Sequence, residues 1–140
     1  MTRVDFHCNV VDRLAYICRL VRKVFASGAH LVVLGSEAEL DVLDAALWTF
    51  SQVDFVPHCF GHHPLASQTP VILATHLDDL PRYHILLNIG EEVPALFARF
   101  ERLLEVVGLD ESERVAARVR YLFYRDRGYP LHNFDQKAIA

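Results

Sequence analysis

The sequence has few of the features that mark secreted, membrane or nucleic-acid-binding chains. Its three cysteines, Cys8, Cys18 and Cys59, form no CxxC pair, which is typical of reduced thiols rather than of a disulfide framework. The N-terminus has no apolar run, so we expect neither a signal peptide nor a membrane-spanning helix and assign the chain to the cytoplasm. The formal net charge is −4, and this lack of a basic excess argues against nucleic acid as the principal ligand.

The sequence motifs of the common catalytic sites are also missing. Neither GxGxxG nor GxxxxGK[ST] occurs, so the usual phosphate-binding loops of dinucleotide and ATP sites are excluded. No GxSxG elbow presents a nucleophilic serine. Gly35 and Ser36 could offer the amides of a helix start to an anion, although they also suit a simple helix cap. We predict no cofactor, no stoichiometric ATP binding and no nucleotide hydrolysis.

A histidine-rich segment is the feature that could support an enzyme. His58, Cys59, His62 and His63 lie close together, and imidazole and thiolate are zinc ligands. Their spacing matches no strong metal motif, and no acidic residue stands near the histidines as the glutamate of HExxH does. The alternative to a binding protein is therefore a small α/β enzyme or metal-dependent hydrolase that uses His58, His62 and His63.

Short apolar runs alternate with amphipathic segments along the chain. A length of 140 residues with 52% hydrophobic content predicts one domain over residues 1–140. The patterns predict strands at residues 3–10, 30–34, 53–56, 71–75 and 84–89, and helices at 11–26, 36–48, 93–106 and 110–125. This alternation predicts a three-layer α/β sandwich with a mainly parallel sheet, Rossmann-like without a phosphate-binding loop. Apolar residues in the tail predict that part of residues 128–140 packs on the domain.

The last predicted helix carries a row of arginines. Four residues recur at spacings of four, three and four and so share one helix face, namely Arg114, Arg118, Tyr121 and Arg125. Guanidinium groups form paired hydrogen bonds with carboxylates, and an aromatic ring can pack against an apolar side chain. The row therefore favours a short acidic peptide with a bulky last residue as ligand. The pattern fits at least as well a solvated face whose arginines pair with nearby glutamates, namely Glu101, Glu105, Glu111 or Glu113.

Aromatic residues cluster where the second predicted helix leads into a strand. Trp48, the only tryptophan, is followed by Phe50 and by Phe55, Val56 and Pro57. Aromatic side chains beside loops often anchor protein interfaces. They belong to the core at least as often, so the pattern leaves both interpretations open.

Two segments resemble the chi subunit of bacterial DNA polymerase III. Residues 43–48 (LDAALW), followed by residues 55–58 (FVPH), resemble the middle motif of that family. Residues 118–125 (RVRYLFYR), followed by Gly128, Tyr129 and Leu131, resemble its C-terminal helix and tail. The order of strands and helices matches over nearly the whole chain, although only these two segments are specific.

The resemblance implies a non-catalytic accessory subunit of the polymerase holoenzyme with two protein partners. One is the psi subunit, which links chi to the clamp loader and would contact Trp48, Phe55, Val56 and Pro57. The other is the acidic, phenylalanine-ended C-terminal tail of single-stranded-DNA-binding protein, whose pocket would be formed by Val107, Arg114, Arg118, Tyr121 and Arg125. The chain departs from the family at Leu122, where a basic residue can follow the tyrosine, and in a shorter loop after His58. Tail affinity is therefore expected to be weaker or to depend more on Arg125.

Overall fold

The structure is a computed structural model that describes residues 1–49, 56–78, 80 and 84–139. Its strands are β1 (Arg3–Cys8), β2 (Leu31–Leu34), β3 (His58–Phe60), β4 (Val71–Ala74), β5 (Ile85–Asn88), β6 (Arg102–Val106) and β7 (Leu131–Asp135). Its helices are α1 (Arg13–Ala26), α2 (Glu37–Thr49), α3 (Glu111–Asp126) and the short α4 (Gln136–Ile139). Two 3-10 turns complete the described elements, Ala66–Gln68 and Phe97–Arg99.

The seven described strands form one sheet in the order β3-β4-β2-β5-β6-β1-β7, with every pairing parallel. Alternate residues of the strands pack in two separate hydrophobic cores, because successive side chains of a strand point to opposite faces of the sheet. Leu31 and Val33 pack in the core with α1 and α2, whereas Val32 packs in the core with α3. The predicted three-layer α/β sandwich is confirmed.

Local sequence signals fix the helix ends. Ser36 and Glu39 form the predicted capping box, in which the Ser36 amide donates to Glu39 Oε1 at 3.0 Å and the Glu39 amide to Ser36 Oγ at 3.2 Å. The protein's own side chains therefore occupy these two amides, the donors that could have received an anion at this helix start. Gly28, with φ of +84°, adopts the left-handed conformation that closes α1 without a Cβ clash.

The helix predicted over residues 93–106 is wrong. This segment instead forms the 3-10 turn Phe97–Arg99 and strand β6. Leu103 and Leu104 are both fully buried but belong to opposite cores, because β6 lies between β5 and β1 and is covered on both faces. A strand that is apolar on both faces lacks alternation, so its pattern cannot be told from that of a helix.

Two other predictions concern the C-terminal tail and the segment after α2. The tail does pack on the domain, since β7 pairs with β1 from Val4↔Leu131 to Cys8↔Asp135. The strand predicted over residues 53–56 falls almost wholly outside the described residues, as do Phe50 and Phe55. In the described part of the chain, no helix combines the length and the apolar character that a bilayer span requires.

Candidate functional site

Helix α3, which carries the arginine row, is anchored at its first turn. The Asp110 carboxylate accepts hydrogen bonds from the Ser112 hydroxyl at 2.7 Å and the Ser112 amide at 2.8 Å, as an N-cap residue does. These hydrogen bonds lower the pKa of Asp110. Glu113 accepts from the Gly108 amide at 2.7 Å and pairs with Arg13 at 2.8 Å. The start of α3 is thus tied to the end of β6 and to α1.

The inner face of α3 is held by a buried charge network. Arg120 donates from Nε to both oxygens of Glu105 at 3.2 Å, and the Tyr124 hydroxyl donates to Glu105 Oε2 at 2.7 Å. Asn88 adds its side-chain amide to the same carboxylate, and Arg120 also reaches the Glu91 carbonyl at 2.7 Å. Burial raises the pKa of Glu105, and the Arg120 charge and these hydrogen bonds oppose that effect. Arg120 is therefore a structural residue, whereas Arg114, Arg118 and Arg125 of the same helix are exposed.

A cavity of about 250 Å³ opens between α3 and the carboxyl ends of β1, β6 and β7. Four of the five residues that the resemblance assigned to a peptide pocket line it, namely Val107, Arg114, Arg118 and Tyr121. Val107 comes from the end of β6 and not, as expected, from the end of a helix. The structure thus brings together residues from two elements that the sequence could relate only through the resemblance.

The apolar wall of this cavity is rigidly supported. The Val107 amide donates to the His7 carbonyl at 2.8 Å, and its own carbonyl accepts from the Val10 amide at 3.1 Å. The Tyr121 ring stands edge-on to Phe6, with centroids 5.2 Å apart. The wall is therefore formed before any ligand arrives, which reduces the ordering that binding requires.

The cavity is also cationic. Arg114 and Arg118 are exposed, and within the described residues no carboxylate lies within ion-pair distance of either guanidinium. The pairing of arginines with neighbouring glutamates is found at Arg120 alone among the arginines of α3. Two positive side chains on the cavity rim are thus free to meet an anion.

Arg125 does not line the cavity. It lies on the same face of α3 one turn beyond Tyr121, and its guanidinium Nη2 lies 3.1 Å from the Asp126 carboxylate in an exposed pair. Four cavity residues that the sequence did not relate to this site come from β1, from β7 and from the loop after β1, namely Phe6, Cys8, Asn9 and Asn133. The signal that could have found them is topological, because ligands of open α/β sheets bind at the carboxyl ends of the strands.

The residues predicted for a second interface lie at the end of α2 and before β3. Trp48 is 56% exposed, and its ring packs 5.2 Å from the His58 ring. His58 is held in turn between the Val56 carbonyl at 2.7 Å and the Asp44 carboxylate at 3.0 Å. Val56 is only 4% exposed and belongs to the core, so its side chain is not available on the surface. Pro57 is half-buried, and Phe55 lies outside the described residues.

The three histidines of the enzyme alternative do not converge. Both ring nitrogens of His58 face acceptors within the protein. His62 stacks on Phe60, and the His63 Nδ1 accepts from the Leu65 amide at 3.0 Å, both at the surface. Over residues 1–49, 56–78, 80 and 84–139, no three His, Cys, Asp or Glu side chains are grouped to hold a metal ion.

The fold is shared with proteins of unrelated sequence. The C-terminal domain of the DEAD-box protein Dbp5 superposes with a TM-score of 0.62 over 98% of this chain and 91% of that domain. The two sequences are 12% identical. A likeness at this level of identity extends to the fold alone.

Sequence comparison is more specific. The family model of the DNA polymerase III chi subunit, HolC, matches residues 1–132. DNA polymerase III subunit chi of Pseudomonas aeruginosa is 34% identical, with 95% of this chain and 96% of that protein covered. The subunit chi of Haemophilus influenzae is 28% identical over 81% of each chain, and that of Escherichia coli K12 is 26% identical over 92% and 88%. This chain belongs to the DNA polymerase III chi subunit family, whose members are accessory subunits of a replicative polymerase.

Proposed function

We propose that this chi-family chain is a non-catalytic adaptor with two protein partners. One partner is the psi subunit of the clamp loader, and the other is the C-terminal tail of single-stranded-DNA-binding protein. The observation that carries the proposal is the convergence of Val107, Arg114, Arg118 and Tyr121 on one cavity. Their arrangement combines an apolar wall with unpaired positive charge, which suits an acidic peptide that ends in a bulky residue.

The apolar part of the cavity would receive the terminal phenylalanine of the tail. Engineered cavities of about 150 Å³ bind benzene, so a space of about 250 Å³ can hold a phenyl ring. Tyr121 and Val107 would flank that ring, with Phe6 fixing the tyrosine. Burial of the ring would provide the part of the affinity that does not depend on salt.

The charged part of the cavity would receive carboxylates. Arg118 would bind the terminal carboxylate or an aspartate side chain through its two-pronged guanidinium, a geometry that matches a carboxylate. Arg114 lies one turn earlier on the same face of α3 and would add attraction at longer range. Although the chain carries a net charge of −4, these two side chains focus positive potential where the tail would dock.

The psi subunit would bind the surface centred on Trp48. An exposed tryptophan is a typical interface anchor because it buries a large apolar area. Its ring is already oriented by packing on His58, which Asp44 and the Val56 carbonyl hold in place. Pro57 would extend this surface, and Phe55, expected from the family resemblance, would complete it. Val56 would support the surface from the core.

Calorimetric titration tests the adaptor role at the tail. Intact single-stranded-DNA-binding protein should bind the chain with one saturable transition, and the same protein lacking its final residues should not. A peptide of the tail sequence should displace the intact protein, whereas a peptide without the final phenylalanine should displace it poorly. Equal binding of intact and truncated protein would contradict the assignment of the cavity to the tail.

A further inference from the structure

A second cavity adjoins the first. It has a volume of about 800 Å³ and is lined by residues of the loop after β1, of α1, of the loop before α3 and of α4. Asn9 and Arg114 line both cavities. Asn9 is fixed there with φ of +57°, and its side-chain amide donates to Asp135 at 2.8 Å. The two cavities are therefore neighbours that meet at Asn9 and Arg114.

Positive side chains dominate the second cavity. Its lining includes three exposed cations, Arg19, Arg114 and Lys137, against one carboxylate, Asp12. None of the three cations has a carboxylate within ion-pair distance among the described residues. The Asp12 carboxylate caps α1 by accepting from the Ala15 amide at 3.1 Å. The Asp135 carboxylate, which accepts from Asn9 and from the Lys137 amide, adds a second negative charge beside the lining. Three cations against two carboxylates leave the cavity with a net positive charge.

The second cavity also has an ordered apolar lining. Tyr16 faces it, and the tyrosine hydroxyl is hydrogen-bonded to His7 Nδ1. The Arg19 guanidinium lies 5.8 Å from the Tyr16 ring centroid, within the range of a cation–π contact. Val11 and Leu109 extend the lining and are 86% and 52% exposed. Two such exposed apolar side chains lining one cavity with exposed cations favour a surface that a partner covers.

We infer that this second cavity binds the acidic segment that precedes the apolar end of the peptide held in the first cavity. The inference rests on the proposed function. Asn9 and Arg114 line both cavities, and the cations of the second cavity complement the charge of an acidic segment. Arg19 and Lys137 each meet one carboxylate of that segment. The apolar end gives specificity at Val107 and Tyr121, and the second cavity gives most of the salt-dependent affinity.

Two labelled peptides separate the two cavities by fluorescence anisotropy. The long peptide has ten residues, with aspartates in its first part and an apolar end finishing in phenylalanine, and the short one keeps only the last three residues. In the double variant Arg19→Gln, Lys137→Gln, the long peptide should bind about five- to thirtyfold more weakly, as expected for the loss of two solvent-exposed charge contacts. The short peptide should bind within twofold of wild type, and the loss for the long peptide should shrink at high salt.

A matched control removes the same charge elsewhere. The double variant Lys23→Gln, Arg99→Gln loses two exposed cations that line neither cavity and should leave both affinities within twofold. The inference would be overturned if both double variants bound the long peptide equally weakly, or if Arg19→Gln, Lys137→Gln left its affinity unchanged. Either result would leave the assignment of the first cavity to the tail intact. Failure of both peptides to bind the wild-type chain would instead refute the proposed tail binding itself.

Discussion

Arg118 is the side chain on which tail binding should depend most, and its replacement by alanine is the most direct test. The guanidinium lines the cavity rim without an ion-pair partner among the described residues, so its removal breaks no ion pair there. A charge-assisted hydrogen bond contributes about 1.5–3 kcal/mol, and exposure to solvent favours the lower end. Because 1.4 kcal/mol is tenfold in affinity, Arg118→Ala should weaken binding about tenfold.

The assay is fluorescence anisotropy of a labelled tail peptide at two salt concentrations. Arg125→Ala is the matched control, because Arg125 lies on the same helix face but outside the cavity and pairs with Asp126; its effect should be below twofold. Arg114→Ala should reduce the affinity for the peptide less than Arg118→Ala does, and this reduction should disappear as the salt concentration rises. Unchanged affinity in Arg118→Ala, or an equal loss in Arg125→Ala, would refute this account of the site.

Three further predictions follow from other contacts. Arg120→Met should lower the free energy of unfolding by about 3 kcal/mol in urea titrations, because it leaves the buried Glu105 carboxylate without its ion pair; adding Glu105→Gln should recover part of the loss. Trp48→Glu should abolish co-purification with the psi subunit, whereas Val42→Glu, on the same helix and 55% exposed, should not. Bound tail peptide should slow maleimide alkylation of Cys8, which lines the cavity, as followed by mass spectrometry; an unchanged rate would place the peptide elsewhere.

The part of the site on α3 could be predicted because one helix supplies it. Residues four and three positions apart lie on one helix face whatever the rest of the fold does, so spacing alone groups Arg114, Arg118 and Tyr121. Their meeting with Val107 is long-range, and only the family resemblance predicted it. Asn9 and Lys137 could not be related to them from spacing, since parallel pairing of β1 with β6 and β7 is what brings those segments together.

The error at β6 has the same physical origin as the success at α3. Periodicity reports which faces of an element are apolar, and it identifies an element only when one face is polar. In α3 the buried residues Ala117, Arg120 and Tyr124 recur at helical spacing between exposed charged residues, so the helix is evident. In β6 the residues from Leu103 to Val106 are all buried, and the one charged member, Glu105, is neutralised by Arg120 from across the core. A central strand with a buried ion therefore resembles an amphipathic helix.

Arg118 and Arg120 show how two identical side chains in one turn take opposite roles. Two positions along a helix correspond to a rotation of about 200°, so Arg118 lies on the rim of the cavity while Arg120 points into the core and pairs with Glu105. Counting arginines in this segment therefore overstates the positive surface, and the phase of the helix relative to the sheet decides which ones a ligand can reach. Arg120 and Tyr124 of α3 both donate hydrogen bonds to Glu105 of β6, and these bonds fix the rotation of the helix relative to the sheet. The buried network therefore determines which arginines of α3 face the cavity.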